Sequence, residues 1–316
     1  MKISHLLLAL TLLQSTAWAH DDHDWSSDYL GFLSVEYTVT PVSSKKIKRA
    51  KRIDVEFYKE KLAIFSGDKA FNGQMIKERG TAKNLDIARA FLKAEYEAVG
   101  FEVSLQPFSS GVNFIAEKKG LKNPEKVLIL SSHIDSVGNK GANDNGTGTI
   151  GLMTVAQELA KNNYDFTVRI LGFDREEVGL KGSDAYVATL TKKENIIGNI
   201  NFEMMGTNSR KDGAFHIIDC KYGYSQFLTS ELSSAISTLS LPLTVVKGCT
   251  DRSDHASFWR KKIPAVVVSE NFFGGDSDSC YHAKCDIMDE RLDYGYMSSI
   301  MEAVLEATEK LLVKAK

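Results

Sequence analysis

Val127-Leu128-Ile129-Leu130-Ser131-Ser132-His133-Ile134-Asp135 is the stretch that decides the fold. Four consecutive apolar residues leave no polar face, which predicts a strand buried on both sides. The chain then turns polar abruptly. If the strand continues, His133 and Asp135, two positions apart, point to one face of the sheet. The same pattern recurs downstream. A strand predicted over 166–173 runs into Asp174-Arg175-Glu176-Glu177-Val178-Gly179, and one over 199–204 carries Glu203 between Phe202 and Met204. Further strands are expected at 214–218, 243–246 and 265–269. Helical segments are expected at 148–160, 182–190, 224–239, 254–261 and 290–314. Upstream, Ala82, Leu85, Ala88, Leu92, Tyr96 and Val99 recur at helical spacing, and Gly100 follows as a stop. Strands alternating with helices imply an α/β fold, a three-layer αβα sandwich around a mixed, mostly parallel sheet. In such sheets the ligand site lies beyond the carboxyl ends of the strands.

Composition fits this reading. The chain has 316 residues, 43% hydrophobic and 25% charged, with five prolines, which excludes collagen-like, low-complexity and wholly disordered classes. The formal net charge is -2, so there is no basic excess to neutralise a phosphate backbone, and no nucleic-acid partner is expected. At the start, Lys2 precedes a mostly apolar run over 3–13, and Ala17-Trp18-Ala19 fits a small-x-small cleavage rule. Residues 1–19 are therefore expected to be a signal peptide, since the run falls short of the about 20 residues of a spanning helix. The expected product is secreted or periplasmic, with no membrane association after cleavage, and monomeric. Residues 20–60 read as an N-terminal segment on the catalytic domain, and 61–316 as that domain. Within the segment, the basic run Lys45–Lys51 reads as a solvated helix face. Cys220, Cys249, Cys280 and Cys285 make an even set that suits disulfides in an oxidising compartment. Cys280–Cys285 is the favoured pair, with Cys220–Cys249 the weaker expectation.

The strand ends carry the chemistry. Asp135 is placed to hydrogen-bond one nitrogen of His133 and leave the other for a metal. Gly141-Ala142-Asn143-Asp144-Asn145-Gly146-Thr147-Gly148 opens a helix but lacks the Lys-Ser/Thr of a phosphate loop; a carboxylate, Asp144, stands in its middle. Glu176 and Glu177 repel each other unless solvated or neutralised by a cation; one could ligate while the other takes a proton from bound water. Glu203 in an apolar strand needs a partner, and a metal would serve. Cys280-Tyr281-His282-Ala283-Lys284-Cys285 places a histidine and a tyrosine between two cysteines. Each piece alone also reads as a helix cap, a solvated turn or a surface polar pair. Together, His133, Asp144, Glu177, Glu203 and His282 form a set of imidazole and carboxylate ligands without thiolate, which suits catalytic zinc. Five ligands exceed the three that one catalytic zinc takes, so two Zn2+ ions are expected.

At this point the set resembles the secreted co-catalytic dizinc aminopeptidases, zinc metallo-exopeptidases related to bacterial leucyl aminopeptidases. The matching stretches are His133-Ile-Asp-Ser, Gly141-Ala-Asn-Asp-Asn-Gly, Phe173-Asp-Arg-Glu-Glu-Val-Gly-Leu-Lys-Gly-Ser, Asn201-Phe-Glu-Met-Met-Gly, Ser253-Asp-His and Cys280-Tyr-His, and the resemblance runs from about residue 72 to the C-terminus. It implies a zinc-exopeptidase-like fold. It also implies that Asp144 bridges two zincs, that His133 and Glu203 complete one site, and that Glu177 and His282 complete the other. Glu176 would be the general base, Tyr281 a donor to the developing oxyanion, and Asp135 the residue orienting His133. A cis peptide between Asp144 and Asn145 is implied too. The family more often has aspartate where Glu203 stands, so this ligand is a methylene longer. The implied substrates are peptides with a free N-terminus. A dizinc carboxypeptidase, a glutaminyl-cyclase-like acyltransferase on the same scaffold and a peptidase-like binding domain without chemistry are the alternatives. His255 and His216 read as structural histidines, Asp254 and Asp286 as acids that support ligands or cap loops, and Met204 and Met205 as packing near the substrate pocket.

Overall fold

A computed structural model of the chain describes residues 51–191, 194–220 and 222–313. The expected leader, most of the segment 20–60 and the basic run apart from Lys51 lie outside the described residues. Eight strands form one sheet: β1 (Glu102–Phe108), β2 (Gly111–Lys118), β3 (Asn123–His133), β4 (Phe166–Phe173), β5 (Asn195–Glu203), β6 (Ala214–Ile218), β7 (Thr244–Val246) and β8 (Ala265–Glu270), in the order β1-β2-β4-β3-β5-β8-β6-β7. The four central strands β4, β3, β5 and β8 are mutually parallel. The β1–β2, β2–β4 and β6–β8 pairings are antiparallel, so the sheet is mixed with a parallel heart.

Side-chain alternation along the central strands builds two cores. Leu128, Leu130, Val168, Ile170, Val266 and Val268 face the larger one, with α1 (Val55–Phe65), α2 (Ala82–Ala98), α3 (Gly148–Ala160), α5 (Gln226–Leu239) and α7 (Tyr294–Leu312). Val127, Ile129, Leu171, Phe173, Ala265 and Val267 face the other, under α4 (Lys181–Thr189) and α6 (His255–Arg260). This is the expected three-layer sandwich, and its doubly buried strands are the ones that read as unbroken apolar runs.

Three elements had no counterpart in the sequence reading. The edge strand β1 alternates between exposed and half-buried residues, so it shows no apolar run, and β2 carries polar residues at both faces. The helix α1 is capped by Asp54, whose carboxylate accepts the amides of Glu56 and Phe57, and it buries Tyr58, Leu62 and Phe65. It therefore straddles position 60 and belongs to the main core.

The topology places the site. From β3 the chain crosses through α3 to β4 on one side, then through α4 to β5 on the other side of β3. The connections diverge at the β3–β5 junction, and a crevice opens at the carboxyl ends of those two strands.

Candidate active site

His133 is the last residue of β3 and Glu203 the last of β5; the register pairs Ser131 with Asn201 two positions earlier, so the two ligand candidates stand side by side. Between β3 and α3 the turn Ala142–Thr147 carries Asp144, and the peptide bond from Asp144 to Asn145 is cis. Asn145 ties this turn to β5: its Nδ2 donates to the Phe202 carbonyl at 2.8 Å, and its Oδ1 accepts the amide of Met204 at 3.2 Å. Only glycine fits at 148, where a Cβ would lie 2.1 Å from Asn145 Oδ1. The loop after β4 supplies Glu176 and Glu177, and the long connection from β8 to α7 supplies Tyr281 and His282.

These side chains converge in two groups of three that share Asp144. His133 Nε2 lies 3.2 Å from Asp144 Oδ1 and 3.4 Å from Glu203 Oε1. His282 Nε2 lies 3.2 Å from Asp144 Oδ2 and 3.0 Å from Glu177 Oε2. The aspartate thus turns one oxygen to each group. Ligands bound at ~2.0–2.2 Å around a tetrahedral zinc stand about 3.3–3.5 Å apart, so both groups fit the ion in size and in donor type. Glu177 Oε1 is buried with no hydrogen-bond partner, as expected of a carboxylate arranged around an ion. The longer Glu203 is accommodated: its Oε1 joins the first group and its Oε2 accepts from Ser253 Oγ at 2.7 Å. That serine also takes the Asn201 amide, which extends a buried chain of hydrogen bonds through Ser131 to Asn199.

Charges packed this closely shift one another's protonation. Burial opposes a charge on Asp144, but the bonds from His133 and His282 hold it well below the usual carboxylate range. Burial lowers His282, yet Asp144 and Glu177 outweigh it and raise it to about 9. Burial likewise lowers His133, and Glu203 and Glu176 carry it well above the ordinary histidine value. Burial pushes Glu176 well up; His133 opposes this, while Asp254, Glu203 and Glu177 add to it. Burial also raises Asp254, to about 7, and raises the Tyr281 hydroxyl, which stays protonated. Tyr281 stacks on His282 with ring centroids 3.8 Å apart and meets Phe272 edge-on at 5.0 Å.

Asp135 faces two ways. β3 ends at His133, so Asp135 is not a strand neighbour on the same face. His133 Nδ1 still lies 3.6 Å from Asp135 Oδ1, and this carboxylate helps to raise the imidazole, so it stands against the nitrogen that the ligand group leaves. The two oxygens of Asp135 also accept the backbone amides of Glu176 at 3.1 Å and Glu177 at 3.3 Å, so it holds the loop that presents both glutamates.

Seven of the eight singled-out positions therefore gather at one mouth. His133, Asp144, Glu176, Glu177, Glu203, Tyr281 and His282 line a cavity of about 270 Å³, whose apolar walls include Met204, Ile218, Val267, Phe272 and Phe273, with Arg252 at the same cavity. Asp135 stands behind them. The apolar wall was not legible in sequence beyond Met204, because Ile218, Val267 and Phe272 sit in ordinary strand and loop contexts. Arg79, which touches the turn bearing Asp144, gave no signal of its own, and Ser253, which touches Glu203, entered only as part of the matching stretch Ser253-Asp-His. His255 is buried, its Nε2 2.9 Å from the Thr250 carbonyl and its ring edge-on to Trp259, and burial lowers it to about 4; His216 lies against the Val246 carbonyl. Both disulfides form, Cys220–Cys249 and Cys280–Cys285, and the second encloses Tyr281 and His282. No helix among the described residues is long and apolar enough to cross a membrane.

The family model described as Peptidase family M28 matches residues 113–308, more than half of the chain. A leucine aminopeptidase 2 of Arthroderma otae is 33% identical over 208 residues, 56% of this chain and 40% of that protein. The chain spans less than half the length of this relative and of an aminopeptidase YwaD of Bacillus subtilis that it also matches. Among solved structures, an aminopeptidase from Aneurinibacillus sp. strain AM-1 superposes with a TM-score of 0.72 at 18% identity, over 84% of this chain and 96% of that one. A Bacteroides thetaiotaomicron glutaminyl cyclase does so with 0.68 at 17% identity, over 81% and 97%. At these identities both likenesses show the fold alone.

Proposed function

This chain belongs to peptidase family M28, and from that premise we propose that it is an exported two-zinc aminopeptidase that removes apolar first residues from peptides. The observation that carries the reading is the pair of three-ligand groups joined through the two oxygens of Asp144, with Glu176 and Tyr281 at the same mouth. His133, Asp144 and Glu203 would hold one zinc, and Asp144, Glu177 and His282 the other. Zinc bound there supplies Lewis acidity and lowers the pKa of water.

The chain's own residues supply the rest. Glu176 ligates nothing in either group and is pushed up by burial and neighbouring acids, so it is suited to take a proton from water and return it to a leaving amine. Asp135 fixes the amides of the loop that aims it. The protonated Tyr281 hydroxyl is a donor to an oxygen on which negative charge grows, and its stacking on His282 sets its position. The cavity lies below the ~300 Å³ lower end of common ligand pockets, which suits one side chain rather than a stretch of polypeptide. Its apolar walls favour an apolar first residue. The leader expected over 1–19 from the apolar run and Ala17-Trp18-Ala19, and two disulfides with no free cysteine among the described residues, support export.

A second reading rests on Arg252. An exposed guanidinium lining the cavity is a group that would recognise a terminal carboxylate, as a carboxypeptidase requires. The decisive experiment measures zinc content and hydrolysis of amino-acid anilides beside amino-blocked peptides with a free carboxyl end. Two zincs per chain with cleavage of the anilides support the aminopeptidase. Cleavage of only the amino-blocked peptides selects the carboxypeptidase, and release of ammonia from glutaminyl peptides selects the cyclase.

A further inference from the structure

We propose that Arg79 and Asp286 form a clamp of opposite charges that holds the backbone of the segment 140–144 and so fixes the bridging carboxylate of Asp144 between the two metal positions; this rests on the two-zinc reading. Neither residue belongs to the ligand groups, and Arg79 lies outside the family-matched stretch.

The need for such a clamp is geometric. Asp144 sits in a turn where it and Asn145 have non-helical backbone angles, so no regular element carries it. Yet its two oxygens must each meet a separate histidine, at 3.2 Å in both cases. Metal sites tolerate errors of about 0.2 Å in ligand distance, and supports are needed to keep a ligand within about 0.5 Å.

Arg79 takes the carbonyls. Its side chain is fully buried. Nη2 donates to the Gly141 carbonyl at 2.8 Å, Nη1 to the Lys140 carbonyl and at 3.4 Å to that of Phe65, and Nε to the Ile134 carbonyl at 2.8 Å. Ile134 lies between His133 and Asp135, so one planar guanidinium joins the end of β3, the turn bearing Asp144 and the end of α1. The approach is close: a Cβ at Gly141, whose φ is +55°, would stand 2.5 Å from Nη2. Burying a cation without a directly bonded carboxylate is costly unless its donors are met, and here four backbone carbonyls meet them. A lysine cannot span that fork. Burial lowers Arg79 to about 10, which leaves it charged at neutral pH.

Asp286 takes the amides. It too is fully buried; Oδ1 accepts the Asn143 amide at 2.7 Å and Oδ2 the Asp144 amide at 3.0 Å, while its own carbonyl accepts the Ala142 amide at 3.4 Å. Carbonyls at 140 and 141 thus face a cation, and amides at 142, 143 and 144 face an anion-bearing residue. Charge-assisted bonds on both sides leave the segment little freedom to slide.

The test uses the full chain with Arg79→Lys and Asp286→Asn, and with Arg89→Lys as a control. Arg89 is a buried arginine that bonds the Val112 carbonyl and Asp174 away from the turn. Folding is checked by circular dichroism. Zinc affinity is read by competition with a chromophoric chelator, and site geometry by the visible spectrum after cobalt substitution. Both variants should bind zinc about 10–100-fold more weakly at one position or more and shift the cobalt spectrum, whereas Arg89→Lys changes neither. Two wild-type affinities and an unchanged spectrum in a folded Asp286→Asn protein would overturn the clamp, whatever Arg79→Lys does to folding. Wild-type protein that takes up no zinc overturns the two-zinc reading itself and the clamp with it.

Discussion

The two three-ligand groups share Asp144 but are built from different materials. One takes His133 and Glu203 from the ends of adjacent parallel strands, with side chains 2% and 12% exposed. The other takes Glu177 and His282 from loops, and the His282 side chain is 40% exposed. Strand ends are fixed by the ladder and by two cores, whereas the loop pair is held by Asp135 and by the short loop closed by Cys280–Cys285. The difference teaches that one shared carboxylate can join a deep position fixed by strands to a shallow one presented by loops. The shallow position is expected to load and lose metal first.

The hardest test of that contrast removes one histidine at a time. His282→Ala should leave one zinc in place of two and cut turnover by about 10³-fold or more, since a metal contributes several kcal/mol at the transition state. Its melting temperature should hold. His133→Ala should instead lose zinc and also stability, because removing one partner from a buried charged cluster costs about 3–5 kcal/mol. Elemental analysis of dialysed protein and thermal melts read both outcomes, and equal losses in the two variants would erase the distinction between the positions.

Next in size is Glu176→Ala. It should lower kcat by about 10²–10⁴-fold while both zincs remain, because the residue moves a proton and binds no ion. Retained turnover removes it as the base, and lost metal makes it a ligand.

A baseline for the buried position comes from a histidine that holds no metal. His255 is as buried as His133, but burial drives it down to about 4 because no carboxylate cluster surrounds it. Its folded value lies below the ordinary 6.5, so its contribution is present above about pH 6.5 and is lost as pH falls toward 4. The loss approaches ~3 kcal/mol. Denaturant melts from pH 7 to 4 should show a shallower acid loss in His255→Phe, provided the variant folds with native circular dichroism; parallel curves would contradict the assignment.

The smallest effect sharpens the shallow side. Replacing Cys280 and Cys285 together by serine should weaken zinc about tenfold at the loop position and leave the strand position unchanged, as expected when a support of a ligand is lost. Weakening at both positions would mean that the loop supports Asp144 as well.

The sequence by itself determined the sandwich, because burial on both faces writes itself as unbroken apolar runs at 127–130 and 265–268 and as helical spacing at 82–99. It also determined which residues were chemically out of place: Glu203 in an apolar strand, adjacent Glu176 and Glu177, and His282 between two cysteines. The edge strand β1 and the helix α1 stayed hidden, since a half-exposed strand has no apolar run and a short helix gives too few turns for a period to stand out. Only the tertiary structure decided that Asp144 offers one oxygen to each histidine, that Asp135 holds the amides of Glu176 and Glu177 as well as facing His133, and that Arg79 and Asp286 grip the turn from opposite sides. The reason is physical. Patterns of burial are local and repeat along the chain, whereas a bond between residue 79 and residue 141, or between 286 and 144, depends on how distant loops meet in space.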